Sequence, residues 1–341
     1  MLSRVGNSLY WMSRYLERAN NVARFIDVNL RLILDMRVER QQAQWEPLIR
    51  TTGNDAEFLK HYAVFNEENV VKFLTFDAKN PNSIISCVSS ARENARTVRE
   101  MISSDLWKSI NEFYHLVSKN SKKRQIHDLQ SFYAEVNTFN NLIVGIQQDS
   151  ISHSEAWHFM HLGQMLERAD KTARLLDVKY FLLSPHPEEI NSLHDIIEWG
   201  AVLQSASGLE MYQKQFHRIT HQNVANFLIF DPNFPRAMKY CMDSAALSLQ
   251  TITRIINVQV PAEDEMDKLQ NLLLSTDINQ ILANGLHEFI DLFQFNLNVL
   301  DQSIYQSFFA TKVHRPIVNT DRTLAYRDPL QQDSNIQPAL R

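Results

Sequence analysis

Apolar residues recur at spacings of three and four along the first part of the chain, which places them on one face of a helix. The stripe comprises Leu2, Val5, Leu9, Met12, Leu16, Ala19, Ala23, Ile26, Leu30 and Ile33. It predicts a helix of about ten turns, whose opposite face is rich in arginine and glutamate. A second stretch over 154–182 has the same pattern, and Pro185 and Pro187 end it because proline cannot continue the helical hydrogen-bond ladder.

The two stretches also share a sequence. Residues 16–28 and 166–178 are identical at eight of thirteen positions, where average residue frequencies give about one match. The similarity continues between residues 69–81 and 223–235, at an offset that has grown from 150 to 154. We place the four additional residues in the segment Ser184–Glu188. A repeat of this length predicts an internal duplication.

The predicted fold is therefore all-α, a helical bundle built from two duplicated halves, about 1–152 and 153–313. Each half has a long motif helix, a shorter helix led by a tryptophan, a segment of the form Asn-Val-x-x-Phe-Leu-x-Phe-Asp, and three more helices. The last of these covers about 280–312. No Gly/Ser-rich linker separates the halves, so we expect them to pack as one body. Residues 314–341 are polar and aperiodic, which predicts an extended or disordered tail.

Composition supports helices and excludes several function classes. The chain of 341 residues contains seven glycines, where average usage gives about 24, and it lacks both glycine-rich nucleotide motifs, G-x-x-x-x-G-K-[ST] and G-x-G-x-x-G. A net charge of −5 argues against a nucleic-acid-binding protein. Two cysteines, no signal-peptide pattern and no apolar run of membrane length predict a cytoplasmic protein without a membrane segment.

Charged residues recur at matching positions of the two motif helices. The shared set is Glu17, Arg18, Arg24 and Asp27 in the first helix and Glu167, Arg168, Arg174 and Asp177 in the second. Between them, Asn20 differs from Asp170 and Asn21 differs from Lys171. Retention of the same charges beside changed neighbours favours a structural ion network between the helices. Two alternatives stay open, namely a ligand-binding or catalytic site and a solvated face of weak surface ion pairs.

A cationic stripe follows on the helix predicted over about 82–102. Arg92, Arg96 and Arg99 have the spacing i, i+4 and i+7. Such arginines either clamp an anionic ligand or bind the carboxylates of the motif helices, and we favour the second interpretation. The matching positions of the second half carry alanine, glutamine and threonine, so a site built on this stripe would be asymmetric.

Other chemistry-bearing patterns are weak. Two Glu-x-x-His pairs are typical of di-iron bundles, but chance supplies about one such pair, and the two do not match each other in the repeat. We therefore predict no metal site and no cofactor. Cys87 and Cys241 do match each other, and we expect both to be small buried residues. No pattern identifies a catalytic residue.

The sequence resembles the bacterial Alpha-E family, a helical domain of formerly unknown function named for a recurring Glu-Arg motif. The resemblance is carried by residues 1–24, which read MLSRVGNSLYWMSRYLERANNVAR, and by residues 91–100 and 166–180. It extends over both halves. Two positions depart from the family pattern, because Ser13 stands where a glycine is common and Asn20 stands where an acidic residue is common.

The resemblance also implies partners. Family members are typically encoded beside, or fused to, a circularly permuted ATP-grasp protein and a transglutaminase-like protein. This neighbourhood implies a helical accessory protein of an amide-ligase system for peptide synthesis or modification, which binds the ligase or its substrate. The alternative is an enzyme with an interior site lined by glutamate and arginine, acting on a carboxylate or peptide. The sequence leaves open whether the protein is catalytic and whether it forms homo-oligomers.

Overall fold

Helices are the regular elements of the structure, a computed structural model that describes residues 1–34, 44–53, 55–122, 128–183 and 193–310. The all-α prediction is confirmed for these residues. No described helix combines the length and apolar surface that crossing a bilayer requires. The predicted tail at 314–341 and the predicted insertion at 184–188 lie outside the described residues.

The helices of the first half precede residue 152. They are α1 (Ser3–Leu34), α2 (Trp45–Thr52), α3 (Asp55–His61), α4 (Glu67–Thr75), α5 (Ile84–Thr97), α6 (Ser104–Ser121) and α7 (Leu129–Ser150). Those of the second half are α8 (Glu155–Leu183), α9 (Leu193–Ser205), α10 (Leu209–Gln215), α11 (His221–Phe230), α12 (Met238–Ile256), α13 (Pro261–Leu274), α14 (Ile278–Asn284) and α15 (Leu286–Ile304).

Two predicted helices are shorter than the sequence pattern suggests. The helix predicted over 280–312 is divided at Gly285, whose φ of 108° is a backbone conformation that favours glycine. Helix α5 ends at Thr97, because Val98 leaves the helical conformation and a 3₁₀ turn, Arg99–Met101, follows. Arg99 therefore does not continue the helical stripe begun by Arg92.

Local capping determines where matching helices begin. The side chain of Asn66 accepts a hydrogen bond from the backbone N–H of Asn69 at 2.9 Å and starts α4. The side chain of Thr220 accepts one from the N–H of Asn223 at 3.2 Å and starts α11. Both contacts satisfy a donor that the first helical turn leaves unpaired.

Eight long helices form two adjoining groups of four. In the first group α1, α5, α6 and α7 pack around a closed ring, and in the second α8, α12, α13 and α15 do the same. The motif helices α1 and α8 also pack against each other and join the groups at the centre. The short helices are exchanged across this interface, since α2 packs against α8 and α9 packs against α1. Met1–Ala310 forms one compact unit.

A glycine permits close contact between α1 and α8. A Cβ atom placed on Gly163 would lie 2.4 Å from the backbone oxygen of Tyr10, which is far inside van der Waals contact. The two backbones therefore approach each other at this point of the interface. The Glu-Arg pairs, about two turns further along α1 and one turn further along α8, face the opposite helix.

Candidate functional site

The charged faces of α1 and α8 meet each other instead of water. Glu17 exposes 1% of its surface and Glu167 exposes 0%. Arg24 and Arg168 are also buried. Buried charges are stable in a protein only when they are paired and hydrogen-bonded, so the partners of these residues decide what the site does.

Each Glu-Arg motif binds the other in reciprocal fashion. The carboxylate of Glu17 accepts hydrogen bonds from Nε and Nη2 of Arg168 at 3.1 and 3.0 Å. The carboxylate of Glu167 accepts hydrogen bonds from Nε and Nη2 of Arg18 at 2.6 and 2.9 Å. Both pairs are bidentate, which is the strongest geometry of an arginine–carboxylate contact. Of the three interpretations of these charges, namely a structural ion network, a ligand-binding or catalytic site and a solvated face, this geometry fits the ion network best.

Further donors complete the coordination of both carboxylates, largely from matching positions. Glu17 accepts hydrogen bonds from Gln164 at 3.3 Å, Asn21 at 3.2 Å and Arg236 at 2.9 Å. Glu167 accepts a hydrogen bond from Arg14 at 3.0 Å and forms an ion pair with Lys171 at 3.5 Å. The carboxylates are thus saturated by protein donors.

The electrostatics follow from these contacts. Burial by itself raises the pKa of Glu17, but the guanidiniums of Arg168 and Arg236 outweigh it and hold that pKa well below its usual range. Burial likewise raises the pKa of Glu167, and Arg18 and Lys171 together bring it well below its usual range. Both carboxyls are therefore ionised at neutral pH.

Arg24 lies beside this network with an incomplete set of partners. Its Nη2 lies 2.9 Å from the side-chain oxygen of Asn20, in the amide orientation that satisfies the neighbours of Asn20. The same oxygen lies 3.3 Å from Nη2 of Arg236. Burial and the nearby Arg236 cation lower the pKa of Arg24, while Glu17 opposes them. The buried guanidinium of Arg24 and the half-buried guanidinium of Arg236 therefore share a neutral amide oxygen.

A pocket of about 920 Å³ opens on Arg24 and Arg236 between α1, α7, α9 and α10. We call it the Arg24 pocket. Its other polar lining residues are Asp27, Arg31, Asn137, Asn141, Gln204, Ser207, Glu210 and Gln213. Neither motif glutamate belongs to its described lining, and the network reaches the pocket through Arg236, which donates to Glu17.

The remaining charged residues of the motif helices have other partners. Asp27 accepts a hydrogen bond from Arg31 at 2.8 Å, and Arg174 donates to Asp170 at 3.0 Å. Asp177 lies 2.6 Å from Nδ1 of His287 on α15, and Asp291 lies 3.5 Å from the other ring nitrogen. Asp177, His287 and Asp291 each offer one ligand atom within 4.8 Å of the others, a spacing at which a metal ion could be held.

The arginine stripe lies away from the motif glutamates. Arg92 donates to Asn111 at 2.7 Å and lies 4.8 Å from the ring centre of Tyr114. Arg96 donates to Glu93 at 2.9 Å, and Arg99 stacks on a tryptophan ring. The three arginines therefore contact neighbouring residues of their own half. These contacts do not fit our interpretation that the stripe binds the carboxylates of the motif helices.

Sequence reasoning missed Arg14 and Arg236 as members of the network. Arg236 matches Asn82 in the repeat, and Asn82 accepts a hydrogen bond from Arg18 at 2.6 Å. Arg14 matches Gln164, and both donate to the glutamate of the opposite helix. Arg14 and Arg236 were hidden because their matching residues are uncharged.

The two cysteines occupy matching buried places. Both expose 0% of their surface, and burial raises the pKa of each thiol to about 12. Each Sγ lies near the carbonyl oxygen of the proline that precedes its helix, at 3.7 Å for Cys87 and 3.5 Å for Cys241. Such thiols are unreactive, as expected for small buried residues.

Comparison with known proteins identifies a family for the chain that carries this site. A family model named Alpha-E, described as a predicted alpha-helical domain with a conserved ER motif, matches residues 1–309. The chain is 22% identical over 304 residues to an uncharacterized protein of Mycobacterium bovis and to uncharacterized proteins from two strains of Mycobacterium tuberculosis.

These alignments cover 83% of this chain and 34% of each relative, so the chain spans about a third of the length of the curated relatives it matches. No solved structure matches the chain. The Glu-Arg dipeptides at positions 17–18 and 167–168 lie inside the matched region and form the centre of the ion network. This chain therefore belongs to the Alpha-E family of helical domains.

Proposed function

We propose that this chain is a non-catalytic helical accessory protein of an ATP-grasp amide-ligase system, and that it binds the ligase or its peptide substrate. The ligase partnership rests on the family resemblance. The non-catalytic role rests on one structural observation, the reciprocal pairing of both motif glutamates with the arginines of the opposite helix.

The electrostatics of Glu17 support a structural role. A general base works best when its pKa lies near the working pH, and a carboxylate whose pKa lies far below neutral is a weak base. Arg168 and Arg236 hold Glu17 in that weak state, and its oxygens already accept several hydrogen bonds. Glu17 therefore orders the helix interface and has little capacity to move protons.

The Arg24 pocket supports a binding role. Its volume of about 920 Å³ lies in the range of small-molecule sites, which is roughly 300–1,000 Å³. Its walls come from both halves of the chain, since α1 and α7 precede α9 and α10. The network that joins α1 to α8 therefore also helps to fix the shape of the pocket.

Matched contacts also support an origin by duplication. Positions 17 and 167, 18 and 168, and 14 and 164 make equivalent contacts across the interface. We infer that one helical unit was copied and that the copies exchanged their charge partners.

The partnership is tested by purifying this chain with the ATP-grasp protein encoded nearest to it. We expect the two proteins to copurify and the chain to change the ligase's ATP consumption with candidate amines and acids, while the chain alone consumes no ATP. A lack of association at micromolar concentrations would contradict the proposal.

The enzyme alternative is tested with Glu17→Gln. The structural role predicts a lower melting temperature, because three arginines lose their shared carboxylate. The enzyme alternative predicts an almost unchanged melting temperature and loss of turnover. Glu68→Gln, at an exposed position, is the matched control for loss of one carboxylate.

A further inference from the structure

Arg24 is a buried cation with an unused donor. It exposes 8% of its surface, and its Nη1 has no hydrogen-bond partner among the described residues. Leaving a buried charged donor unpaired is costly, so such groups in native proteins call for an explanation. Arg24 belongs to the lining of the Arg24 pocket.

The matching arginine in the second half has the partner that Arg24 lacks. Arg174 donates to the carboxylate of Asp170, four residues earlier, at 3.0 and 3.1 Å. At the position that matches Asp170 the first half has Asn20, which offers only an amide oxygen to Arg24. In α8 the arginine is thus neutralised by a carboxylate of its own helix. In α1 the matching position carries no negative charge, so an anion from outside the helix could take that place.

The surrounding charges act in the same direction. Arg24, Arg168 and Arg236 lie around Glu17. Among the described residues, Glu17 is the carboxylate that all three guanidiniums interact with. Arg168 donates to Glu17 through both Nε and Nη2. Arg236 donates to Glu17 at 2.9 Å and to Asn21 at 3.0 Å through Nη1. Its Nη2 shares the oxygen of Asn20 with Arg24, and both arginines line the pocket.

We propose that the Arg24 pocket binds a peptide-like ligand through a free carboxylate, which Arg24 and Arg236 hold. The planar guanidinium fork fits a carboxylate well. The side-chain amides of Asn137, Asn141 and Gln204 on the pocket wall provide both donors and acceptors, which suit peptide groups of the same ligand.

The acidic residues of the pocket argue for a carboxylate over a polyphosphate. Asp27 and Glu210 line the pocket together with three arginines, so the lining has a small excess of positive charge. This excess suits a singly charged anion, whereas two carboxylates would repel a highly charged polyphosphate. The inference deepens the proposed function by naming its substrate class, and its test requires no ligase.

The test uses N-acetyl-Ala-Ala with a free carboxylate as the probe, applied to the full chain at constant ionic strength. Binding is followed by calorimetry and by the NMR signals of the arginine Nε–H groups. We expect saturable binding at millimolar or lower concentration, accompanied by a shift of the Arg24 signal. The same dipeptide with a C-terminal amide should bind at least about tenfold more weakly, since it cannot form the charge-assisted contact.

Two variants locate the site. Asn20→Asp supplies the carboxylate that α8 has at the matching position, so it should raise the melting temperature while lowering affinity for the probe at least about tenfold. Arg24→Gln should also lower affinity. Arg174→Gln is the matched control in the second half, lies outside the pocket lining and should retain wild-type affinity.

Each contrary result overturns a defined part of the inference. Absence of probe binding at millimolar concentration overturns the site, and unchanged affinity in folded Asn20→Asp overturns its location. Inorganic phosphate binding as tightly as the dipeptide overturns the substrate class. A ligase that fails to copurify contradicts the proposed partnership but leaves a positive binding result standing.

Discussion

Gly163 determines how closely the two motif helices approach each other. Any side chain at this position would meet the backbone oxygen of Tyr10, which cannot rotate away as a flexible side chain could. The reciprocal ion pairs depend on this approach, because bidentate contacts tolerate little change in helix separation.

Gly163→Ala should therefore destabilise the protein by roughly 2–3 kcal/mol, as overpacking does, in spite of alanine's better helix propensity. Urea unfolding followed by circular dichroism measures the change. The control is Gly145→Ala in α7, where nothing lies within 4 Å of the added Cβ. That variant should be more stable by about 0.5–1 kcal/mol. Equal effects of the two substitutions would contradict the close approach.

At the level of elements, the interface between α1 and α8 is held by two exchanged Glu-Arg pairs. Each pair buries charges that would otherwise require water, so the loss of one partner leaves the other charge exposed to a low-dielectric environment. Removing both partners of one pair removes that penalty in part.

A double-mutant cycle tests this interpretation. Glu17→Gln should cost about 3–5 kcal/mol of unfolding free energy, because it leaves buried guanidiniums without their carboxylate. Combined with Arg168→Gln, it should cost less than the sum of the single changes, with a coupling of about 1–3 kcal/mol. Chemical denaturation of the four proteins measures the cycle. Additive costs would show that the two side chains do not interact.

The sequence predicts which segments are helical better than it predicts which helix faces are buried and what they contact. The period of apolar residues in α1, together with the shortage of glycine, is sufficient to predict a long helix. The same pattern could not show that Glu17 is buried and Arg18 half-buried, because a charged stripe looks the same whether it faces water or another charged stripe. Burial is decided by Arg168 and Glu167, about 150 residues away in the chain.

The candidate site was predictable to a similar extent. Arg24 could be singled out from the repeat, and its difference in surroundings from Arg174 was visible in the exchange of Asp170 for Asn20. The Arg24 pocket was not predictable, since its walls come from helices separated by long stretches of sequence. Arg99 illustrates the opposite error, because its regular spacing suggested a helical position that the turn after Val98 does not provide.

For the molecule as a whole, stability should depend on pH through His161. Burial, together with nearby Arg168, lowers the pKa of His161 to about 4 from an ordinary value of 6.5. The folded protein therefore favours the neutral ring, and the unfolded chain takes up a proton first as the pH falls. The contribution is fully present above pH 6.5 and is lost as the pH approaches 4, by up to about 3 kcal/mol.

Unfolding free energies measured between pH 6.5 and 4.5 should therefore decline in the native protein and decline less in His161→Gln. This window lies above the ordinary pKa of 4.5 for a glutamate, where Glu17 and Glu167 contribute little to the slope. His115→Gln, at an exposed position, controls for loss of a histidine as such. An identical slope in His161→Gln and the native protein would contradict the assignment.

The exchange of charge partners also has a consequence for synthesis on the ribosome. Glu17 and Arg18 are translated before the residues that neutralise them, which follow about 150 positions later, or on the order of 10 s at roughly 5–20 residues per second. Throughout that interval the first helices hold charges that cannot be withdrawn from water without penalty. We therefore expect the charged contact between α1 and α8 to form only after α8 has been synthesised.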